Sequence, residues 1–368
     1  MDVGSRAGRV RATLGDHGCD ILVVTSLPNV RWLTGFSGSA GMAVLRGDDL
    51  VLVTDGRYGD QARAEIAAAN VDATVEVGLS QGAQVEIVGR LGAGCRRVGL
   101  EAAGVTWARQ REFATQAFAD AEMVATAAIV ERFRAVKDDG EVARLAEAAR
   151  IADAALESVR PRLADGVTEA EFALELDTTM RRLGASGPSF ETIVASGPAS
   201  ALPHHRPDQR RIVEGDLVVV DFGALVDGYH SDMTRTFVVG EPSATQRRLL
   251  DVVTSAQAAG VRAVRAGVAA RAIDSACREV IAEAGWAEEF IHPTGHGVGL
   301  VIHEDPFLSR VATVDLEAGN VITVEPGVYL AGVGGVRVED SVLVTENGCR
   351  PITHFPKDHA CLPSPRTT

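Results

Sequence analysis

Two aspartates flank a predicted tight turn in the stretch LVVVDFGALVDGYHSDMTRTFVV. Its apolar runs lie on either side of Asp227 and Gly228, a dipeptide typical of a two-residue hairpin loop because both positions must accept positive φ. Such a loop pairs Asp221 with Thr234 and puts Asp232 diagonally beside Asp221, about 7 Å away. Buried like charges this close are costly, and a bound cation would remove that cost. The alternative interpretation is that the two carboxylates only border a solvated turn.

The same pattern recurs further along the chain. The segment EGDLVVVDFG is echoed by AGNVITVEPG, which puts Glu325 in the position of the first aspartate. An Ala-Gly-Val-Gly-Gly loop at 331–335 then leads into the strand VRVEDSVLV. Strand alternation places Arg337, Glu339 and Ser341 on one face of that strand. The chain therefore contains an internal repeat of two hairpins, each with one acid on either arm.

Histidines cluster around these hairpins. Six of the nine lie between residues 204 and 303, namely His204, His205, His230, His292, His296 and His303. We interpret His205 and His230 as satisfied core or surface residues. The segment HPTGHGVGLVIHEDP differs, because it lies between the two acidic hairpins and its glycines permit close backbone approach to a ligand. His296, amid those glycines, is therefore the predicted imidazole ligand.

Four carboxylates and one imidazole form a hard, oxygen-rich set of ligands. Such a set favours Mn²⁺, Co²⁺, Fe²⁺ or Zn²⁺ with open coordination over a closed structural zinc. Five protein ligands are many for one catalytic ion, but they suit two ions about 3.5 to 4 Å apart that share bridging carboxylates. A bridging water would then become a nucleophile at neutral pH, so the predicted reaction class is hydrolysis.

Length and composition limit the classes of protein to consider. The 368 residues suffice for two domains with sizeable cores, and 46% hydrophobic with 23% charged residues is typical of a soluble globular protein. A net charge of -14 without a visible Lys/Arg cluster argues against a nucleic-acid partner. No apolar run approaches about eighteen residues, and the N-terminus lacks the apolar core of a signal peptide. We therefore expect no membrane span and a cytoplasmic location.

The five cysteines predict neither a disulfide framework nor a thiolate metal site. They are widely spaced and form no C-x-x-C pair. We expect buried free thiols at Cys19, Cys95, Cys277, Cys349 and Cys361.

Hydrophobic periodicity divides the chain into two halves. Residues 1 to about 127 alternate between strand and helix. Strands are predicted at 20–26, 41–46 and 49–54, and a helix at 58–70. Between these elements, NVRWLTGFSGS and TDGRY are interpreted as loops.

The second half begins near residue 128 and is richer in helix. Apolar spacings of three and four predict a long amphipathic helix from Val142. A capping box of Thr168 with Glu171 opens a second helix, which Gly184 closes. Further predictions are a strand at 189–197 and helices at 246–266 and 271–284. Helices that cover a sheet made of two hairpins give an α+β catalytic half.

These residues resemble a known family, the metallopeptidases with the pita-bread fold, in its prolidase and aminopeptidase P branch. In the second half, DFGALVDGYHSDMTRTF, GHGVGLVIHEDP, VEPGVY and GVRVED are similar to the signature blocks of that branch. In the first half, NVRWLTGFSGS and TDGRY resemble its creatinase-like accessory domain. The resemblance implies an α+β pita-bread catalytic domain at 128–368 and a smaller α/β creatinase-like N-terminal domain at 1–127.

The resemblance also implies a role for each of the five metal ligands. Asp221 would chelate one ion, and His296 would belong to the other. Asp232 and Glu339 would bridge the pair. Glu325 would be a ligand that also moves the proton between the attacking water and the leaving nitrogen.

The resemblance also implies roles for residues around the ligands. His303 would stabilise the tetrahedral intermediate, and His204 would contact substrate near the scissile bond. Arg337 would support the Glu339 carboxylate and nearby substrate groups. The residues expected to orient the ligands are Tyr229, Thr234 and His292.

The implied activity is that of a dinuclear Xaa-Pro peptidase, with Mn²⁺ as the first choice of metal, short proline-containing peptides as substrates and a homodimer as the assembly. Two activities stay open, because a prolidase accepts only dipeptides whereas an aminopeptidase P accepts longer chains. The rival interpretations are a methionine aminopeptidase, which usually lacks this N-terminal domain, a metal-free creatinase-like hydrolase and a catalytically inactive binding protein. The five intact ligand positions count against the last two.

Overall fold

The computed structural model describes residues 1–357 and 361–362, without the side chain of Cys361. The chain divides into two compact units, Met1–Arg134 and Ala135–Thr368. The predicted domain boundary after residue 127 stays a prediction. Each unit has an apolar core of its own.

Four of the five predicted free thiols can be compared with the structure. All four are free, but only Cys19 and Cys277 are buried, whereas Cys95 and Cys349 are partly exposed. The predicted thiol of Cys361 lies outside the described side chains.

The first unit is built on a six-stranded sheet. Its strands are β1 Ile21–Val24, β2 Gly41–Arg46, β3 Asp49–Thr54, β4 Thr74–Val77, β5 Arg97–Glu101 and β6 Glu122–Thr126. Its helices are α1 Arg6–Arg11, α2 Leu27–Thr34, α3 Gly59–Ala68, α4 Gln81–Leu91 and α5 Trp107–Glu112, and α6 Ile129–Ala135 ends at the boundary. The strand order is β4-β3-β2-β1-β5-β6, in which only the pairings of β2 are antiparallel. The predicted strands at 41–46 and 49–54 are confirmed, and that at 20–26 is shorter.

The segment NVRWLT is helical, so its interpretation as a loop is wrong. It forms most of α2, where Pro28 occupies the first turn with a preset φ and Gly35 ends the helix at φ 78. Trp32 is buried on this helix and stacks on Phe133, with 6.4 Å between ring centroids. The helix is short, and the glycines that follow it dominate the local composition, which favoured a loop.

The second unit is α+β, as predicted. Its helices are α7 Asp139–Val159, α8 Glu169–Arg182, α9 Ala244–Ala263 and α10 Ala270–Glu283. Its strands are β7 Gly187–Pro188, β8 Ile193–Ser196, β9 Leu217–Phe222, β10 Ala224–Val226, β11 Tyr229–His230, β12 Met233–Val239, β13 Gly295–Gly297, β14 Glu304–Leu308, β15 Val321–Val324, β16 Gly327–Leu330, β17 Gly334–Arg337, β18 Asp340–Thr345, β19 Gly348–Pro351 and β20 Cys361–Leu362. Within the described residues, no helix combines the length and hydropathy needed to cross a bilayer.

Capping side chains set the starts of the first two helices of this unit. α7 begins earlier than predicted, because Asp138 and Glu141 form a capping box that the apolar spacing did not reveal. The predicted capping box of Thr168 and Glu171 opens α8. Gly184 follows the end of α8 with a φ of 113, as predicted for the residue that closes it.

The first acidic hairpin has the predicted turn and register. Asp227 and Gly228 both take positive φ, 48 and 73. Asp221 pairs with Thr234 in the β9–β12 ladder. β10 and β11 continue the same register up to the turn.

This ladder is interrupted between β9 and β10. A Cβ at Gly223 would lie 1.8 Å from the carbonyl oxygen of Ser231, so only glycine lets the two arms approach here. Asp232 lies opposite this break, outside the β12 strand. Because of this break, the direction of the Asp232 side chain is not set by the alternation of side chains between the two faces of the strand.

The second acidic hairpin repeats the arrangement. β15 pairs with β18, and β16 with β17, with a break between them that contains Glu325 and Glu339. The predicted returning strand is therefore two strands. The connecting loop is 331–333, shorter than predicted, because Gly334 and Gly335 already pair within β17.

The two hairpins contact each other through the face predicted for the returning strand. Arg337, Glu339 and Ser341 all hydrogen-bond to the first hairpin through their side chains. The Glu339 backbone N–H also donates to the carbonyl oxygen of Thr234 at 3.1 Å. The predicted shared face is thus confirmed, and it brings the acids of both hairpins together.

Both faces of the first hairpin are buried. Val218, Val220 and Phe222 pack with residues of α7 and α8. Leu217 and Val238 face the other way and pack with α9 and α10. Strands covered on both faces have continuous apolar runs such as LVVV. This cover fixes the backbone that carries the acids.

Candidate metal centre

Asp221 and Asp232 enter the centre from the two arms of the first hairpin. Asp221 Oδ2 accepts a hydrogen bond from Arg337 Nη2 at 2.6 Å. Its Oδ1 is buried and has no hydrogen-bond partner among the described residues. The Asp232 carbonyl accepts from Ser341 Oγ at 2.9 Å, which fixes the backbone at the ladder break.

Glu325 and Glu339 enter from the second hairpin. Glu339 Oε2 accepts from Thr234 Oγ1 at 2.7 Å, whereas its buried Oε1 has no partner in the described part of the chain. Glu325 Oε1 accepts from Thr323 Oγ1 at 3.0 Å. Three carboxylates offer oxygens that all lie within 4.8 Å of one another, those of Asp221, Asp232 and Glu339.

His296 reaches the acids from the short strand β13. Its Nε2 lies 3.2 Å from Glu325 Oε1 and 3.6 Å from Asp232 Oδ2. Its Nδ1 lies 3.0 Å from the Gly297 carbonyl, so an Nδ1–H donor leaves Nε2 for a metal. Glycine is required on either side, because a Cβ at Gly295 would lie 2.1 Å from a backbone oxygen and one at Gly297 2.3 Å.

Burial and mutual repulsion dominate the electrostatics of these acids. Burial raises the pKa of Asp232 well above its ordinary value, and the charge of Glu339 raises it further. Burial also raises the pKa of Glu339, with the charge of Glu325 as the next cause. For Glu325, burial acts in the same direction, but the hydrogen bond and charge of His296 outweigh it and lower the pKa to about 2. Four carboxylates in so small a space favour a positive partner.

The residues present fit a pair of divalent metal ions. The two buried oxygens without donors among the described residues, Asp221 Oδ1 and Glu339 Oε1, belong to the carboxylate cluster. Oxygen ligands with one imidazole suit Mn²⁺, Co²⁺, Fe²⁺ and Zn²⁺. A second group of metal-type side chains, Glu169, His205 and Asp208, differs because both Glu169 oxygens accept hydrogen bonds.

A cleft of about 580 Å³ opens over the cluster, and both His204 and His303 line it. The His303 ring packs edge-on against His296, with 4.4 Å between centroids. Burial lowers the pKa of His303, and the charge of His296 lowers it further. The apolar lining includes Phe190, Ile193, Pro203, Pro293, Ile302 and Phe307. The cleft therefore offers a polar floor and apolar walls.

Arg337 is buried beside the acids. Its direct ion-pair partner is Asp221, at 2.6 Å. Its Nε donates to Thr234 Oγ1 at 3.2 Å, and this hydroxyl in turn donates to Glu339. Arg337 therefore supports Glu339 only indirectly, through Thr234. Thr234, one of the predicted orienting residues, lies between the two side chains.

Tyr329 belongs to the same network, although it was not among the predicted site residues. Its hydroxyl accepts from Arg337 Nη1 at 2.8 Å and lies 2.9 Å from His292 Nε2. Because His292 Nδ1 lies 2.8 Å from the Pro293 carbonyl, Nδ1 carries the proton and Nε2 accepts from the tyrosine. Strand pairing could have found it, since Tyr329 shares a face with Gly327, the partner of Arg337.

Two other residues singled out in the sequence have partners of their own. The Tyr229 hydroxyl donates to Glu141 Oε1 of α7 at 3.0 Å. Glu141 gave no sign of this contact, because its place in the capping box already accounts for a glutamate there. His230 Nδ1 lies 2.9 Å from Ser189 Oγ, in agreement with its interpretation as a satisfied residue.

Comparison with known families decides the class of this protein. The profile of creatinase/prolidase N-terminal domains matches residues 6–136. That of metallopeptidase family M24 matches residues 143–346, more than half of the chain. The chain belongs to metallopeptidase family M24. This M24 chain is a hydrolase of a family that uses divalent metal ions. The comparisons also confirm the expected fold, a pita-bread catalytic domain with a creatinase-like N-terminal domain.

Three relatives give the extent of the likeness. The M24 chain is 41% identical to the uncharacterized peptidase YqhT of Bacillus subtilis over 352 residues, 95% of this chain and 98% of that one. It is 37% identical to the structure of an Xaa-Pro dipeptidase from Bacillus anthracis, with a TM-score of 0.92 over 98% and 99% of the two chains. An X-Pro aminopeptidase structure from Thermotoga maritima is 33% identical, with a TM-score of 0.86 over 95% and 99%.

Proposed function

We propose that this M24 metallopeptidase is a dinuclear Xaa-Pro peptidase that hydrolyses the bond between an N-terminal residue and proline. The observation that carries the proposal is the convergence of acids and an imidazole beneath a cleft, in a chain similar to an Xaa-Pro dipeptidase at a TM-score of 0.92. Short proline-containing peptides are the proposed substrates.

The proposed metal ligands are Asp221, Asp232, His296, Glu325 and Glu339. Asp221 would hold one ion and His296 the other, and Asp232 and Glu339 would be shared between them. The buried oxygens of Asp221 and Glu339 without donors among the described residues support this assignment. When bound, the ions supply Lewis acidity and make water a nucleophile at neutral pH. Mn²⁺ is the proposed metal, and Co²⁺, Zn²⁺ and Fe²⁺ suit the same ligands.

Glu325 is the proposed general base and acid. An Xaa-Pro bond is an imide without an N–H, so its leaving nitrogen must receive a proton when the bond breaks. Glu325 takes the proton from the attacking water and transfers it to that nitrogen. The hydrogen bond from Thr323 holds the carboxylate in one orientation for both transfers.

His204, His303 and Arg337 are the proposed residues for substrate and intermediate. His303 packs edge-on against His296 and lines the cleft, from where it donates to the oxygen of the tetrahedral intermediate. His204 contacts substrate near the scissile bond. Arg337 holds the Asp221 carboxylate and, through Thr234, that of Glu339.

The test compares Ala-Pro, Ala-Pro-Ala and Ala-Ala as substrates of protein loaded with Mn²⁺. We expect hydrolysis of the proline peptides and little of Ala-Ala. Turnover of Ala-Pro alone identifies a prolidase, and turnover of both proline peptides identifies an aminopeptidase P. Preferred cleavage of Ala-Ala or of a Met-Ala peptide by fully loaded protein would contradict the proposal.

A homodimer in the cytoplasm is the proposed setting of this activity. The family resemblance supports the assembly, and the composition of the chain supports the compartment. Sedimentation equilibrium of the full chain measures the mass directly, and a monomer at micromolar concentration would contradict the dimer.

A further inference from the structure

Glu169 is a buried carboxylate outside the metal centre. It is the first residue of α8 and is 0% exposed. Its Oε1 accepts from the backbone N–H and hydroxyl of Ser196, at 2.7 and 2.6 Å. Its Oε2 lies 2.7 Å from His205 Nε2 and accepts from the Asp208 N–H at 3.3 Å. One side chain therefore joins the start of a helix, the end of a strand and a loop.

Backbone contacts fasten the same loop to α8. The N–H groups of Glu169 and Ala170 donate to the carbonyls of Arg210 and Asp208, each at 3.0 Å. These are donors of the first helical turn, which have no partner within the helix. The loop that begins at His205 is thus held against the N-terminal turn of α8.

His204 lies directly before this anchor and lines the cleft of the metal centre. On its other side, the Pro203 carbonyl accepts from Arg337 Nη1 at 3.3 Å. His204 is therefore exposed in the cleft between two neighbours that are held by hydrogen bonds. Pro203 is bonded to Arg337, and His205 is bonded to Glu169. Neither of these hydrogen bonds uses the imidazole of His204 itself.

The donor pattern favours an anchor over a second metal site. Glu169, His205 and Asp208 offer ligand atoms within 4.8 Å of one another. Both oxygens of Glu169 already accept hydrogen bonds, and His205 Nε2 is occupied by one of them. A cation would have to displace the His205 hydrogen bond, whereas the cluster of the metal centre has oxygens free of such bonds among the described residues.

We propose that Glu169 and His205 are positioning residues that set the place of His204 over the metal centre. This inference rests on the proposed function, in which His204 contacts substrate. The backbone contacts of residues 208 and 210 with α8 do not depend on His205. Loss of the His205 hydrogen bond therefore frees only the end of the loop next to His204, so that His204 no longer meets the substrate at the required distance. A small displacement of such a group is costly, because catalysis depends on its orientation.

A double-mutant cycle on the Mn²⁺-loaded full chain tests the proposal. The variants are His205→Ala, His205→Gln, His204→Ala and the double variant His204→Ala/His205→Ala. We expect His205→Ala to lower kcat/KM for Ala-Pro by roughly tenfold or more at unchanged metal content. His205→Gln should recover most of this loss, since its amide can donate to Glu169. The double variant should be no slower than His204→Ala, because the effect of residue 205 acts through residue 204.

Gln209→Ala, an exposed change in the same loop, should leave kcat/KM unchanged. Additive losses in the cycle, no recovery by His205→Gln, or full activity of His205→Ala would each overturn the inference while leaving the proposed function intact. A fully loaded wild type that hydrolyses neither Ala-Pro nor Ala-Pro-Ala would overturn both.

Discussion

At the scale of residues, two oxygen atoms decide what the centre can hold. Asp221 Oδ1 and Glu339 Oε1 are buried and accept no hydrogen bond from the described residues. Each buried acceptor without a donor costs about 1–3 kcal/mol. The other oxygen of each carboxylate accepts a hydrogen bond from the protein. The two oxygens without a donor therefore mark the side of the cluster that faces a ligand.

The positions of these acids were predictable from the sequence, but several of their partners were not. The hairpin turn and the repeat specify which acids share a face, since both depend on local spacing. Glu141 escaped prediction because its contact with Tyr229 joins segments far apart in the chain. Tyr329 lies only eight residues before Arg337, but their shared face becomes apparent only once β16 is paired with β17. Arg337 was selected, yet its direct partner Asp221 lies on the other hairpin.

We expect Asp232→Asn to lower activity on Ala-Pro and to lose part of the bound metal. The loss of activity should exceed the roughly 10–100-fold that is typical of residues that only orient a ligand. The amide removes a negative oxygen that the ions are proposed to share. Activity and elemental analysis of Mn²⁺-loaded protein measure the two effects. Asp251→Asn, on the exposed face of α9, is the matched control and should change neither. Full activity with a complete metal content in Asp232→Asn would refute the ligand assignment.

At the scale of elements, the breaks in the two ladders place the acids. The register of the first hairpin was predictable because Asp227-Gly228 admits only one tight turn. The breaks at Gly223 and at Glu325 with Glu339 were not, since a strand pattern continues through them. Irregularities of this kind are common next to active sites, where they change the direction of a side chain.

We expect Gly223→Ala to destabilise the catalytic unit and to reduce metal binding. Its Cβ would meet the Ser231 carbonyl at 1.8 Å, so the backbone must move at the break that carries Asp232. Overpacking of this kind costs about 1–3 kcal/mol or more. Gly348→Ala, where a Cβ meets nothing within 4 Å, is the control and should be neutral in thermal unfolding. Equal melting temperatures for the two variants would contradict the prediction.

A buried ion pair fastens β14 to the segment before α7. Lys137 Nζ lies 2.8 Å from Glu304 Oε1, and their side chains are 1% and 9% exposed. We expect Lys137→Met to lower the free energy of unfolding by about 3–5 kcal/mol, because the carboxylate loses its buried ammonium partner. Adding Glu304→Gln to Lys137→Met should restore part of the lost free energy of unfolding. Urea unfolding measures both.

The control for this pair is Arg150→Met, which removes an exposed pair with Glu147 on α7. Exposed pairs contribute little, so its unfolding midpoint should stay close to that of the wild type. A loss in Lys137→Met no larger than in this control would be the contrary result.

At the scale of the whole molecule, local patterns and family resemblance contributed different things. Periodicity predicted the α/β character of the first unit and the α+β character of the second, because each element leaves its own spacing in the sequence. The pita-bread arrangement came from resemblance, because no local spacing encodes the pairing of distant strands such as β13 with β15. The helix α2 was missed because it is short and the glycines that follow it favour a loop by composition.

We expect divalent metal to stabilise the fold of the catalytic unit as a whole. An ion that binds only the folded state adds about 2.7 kcal/mol at a hundred times its Kd. Exhaustive chelation should therefore lower Tm, and added Mn²⁺ should restore it in a concentration-dependent way, whereas Mg²⁺, which keeps its own waters, should restore less. An unchanged Tm after complete removal of metal would contradict this.

The common register of the strands on both sides of each break has a consequence for insertions and deletions. One residue added to an arm between Leu217 and Asp221 would turn every later side chain of that arm to the opposite face and take the aspartate out of the cluster. The tip at Asp227-Gly228 lies past the acids, so lengthening it leaves their pairing as it is. Insertions and deletions compatible with activity should therefore occur at the turns of the two hairpins. The part of each arm between the core and the acids should keep a constant number of residues.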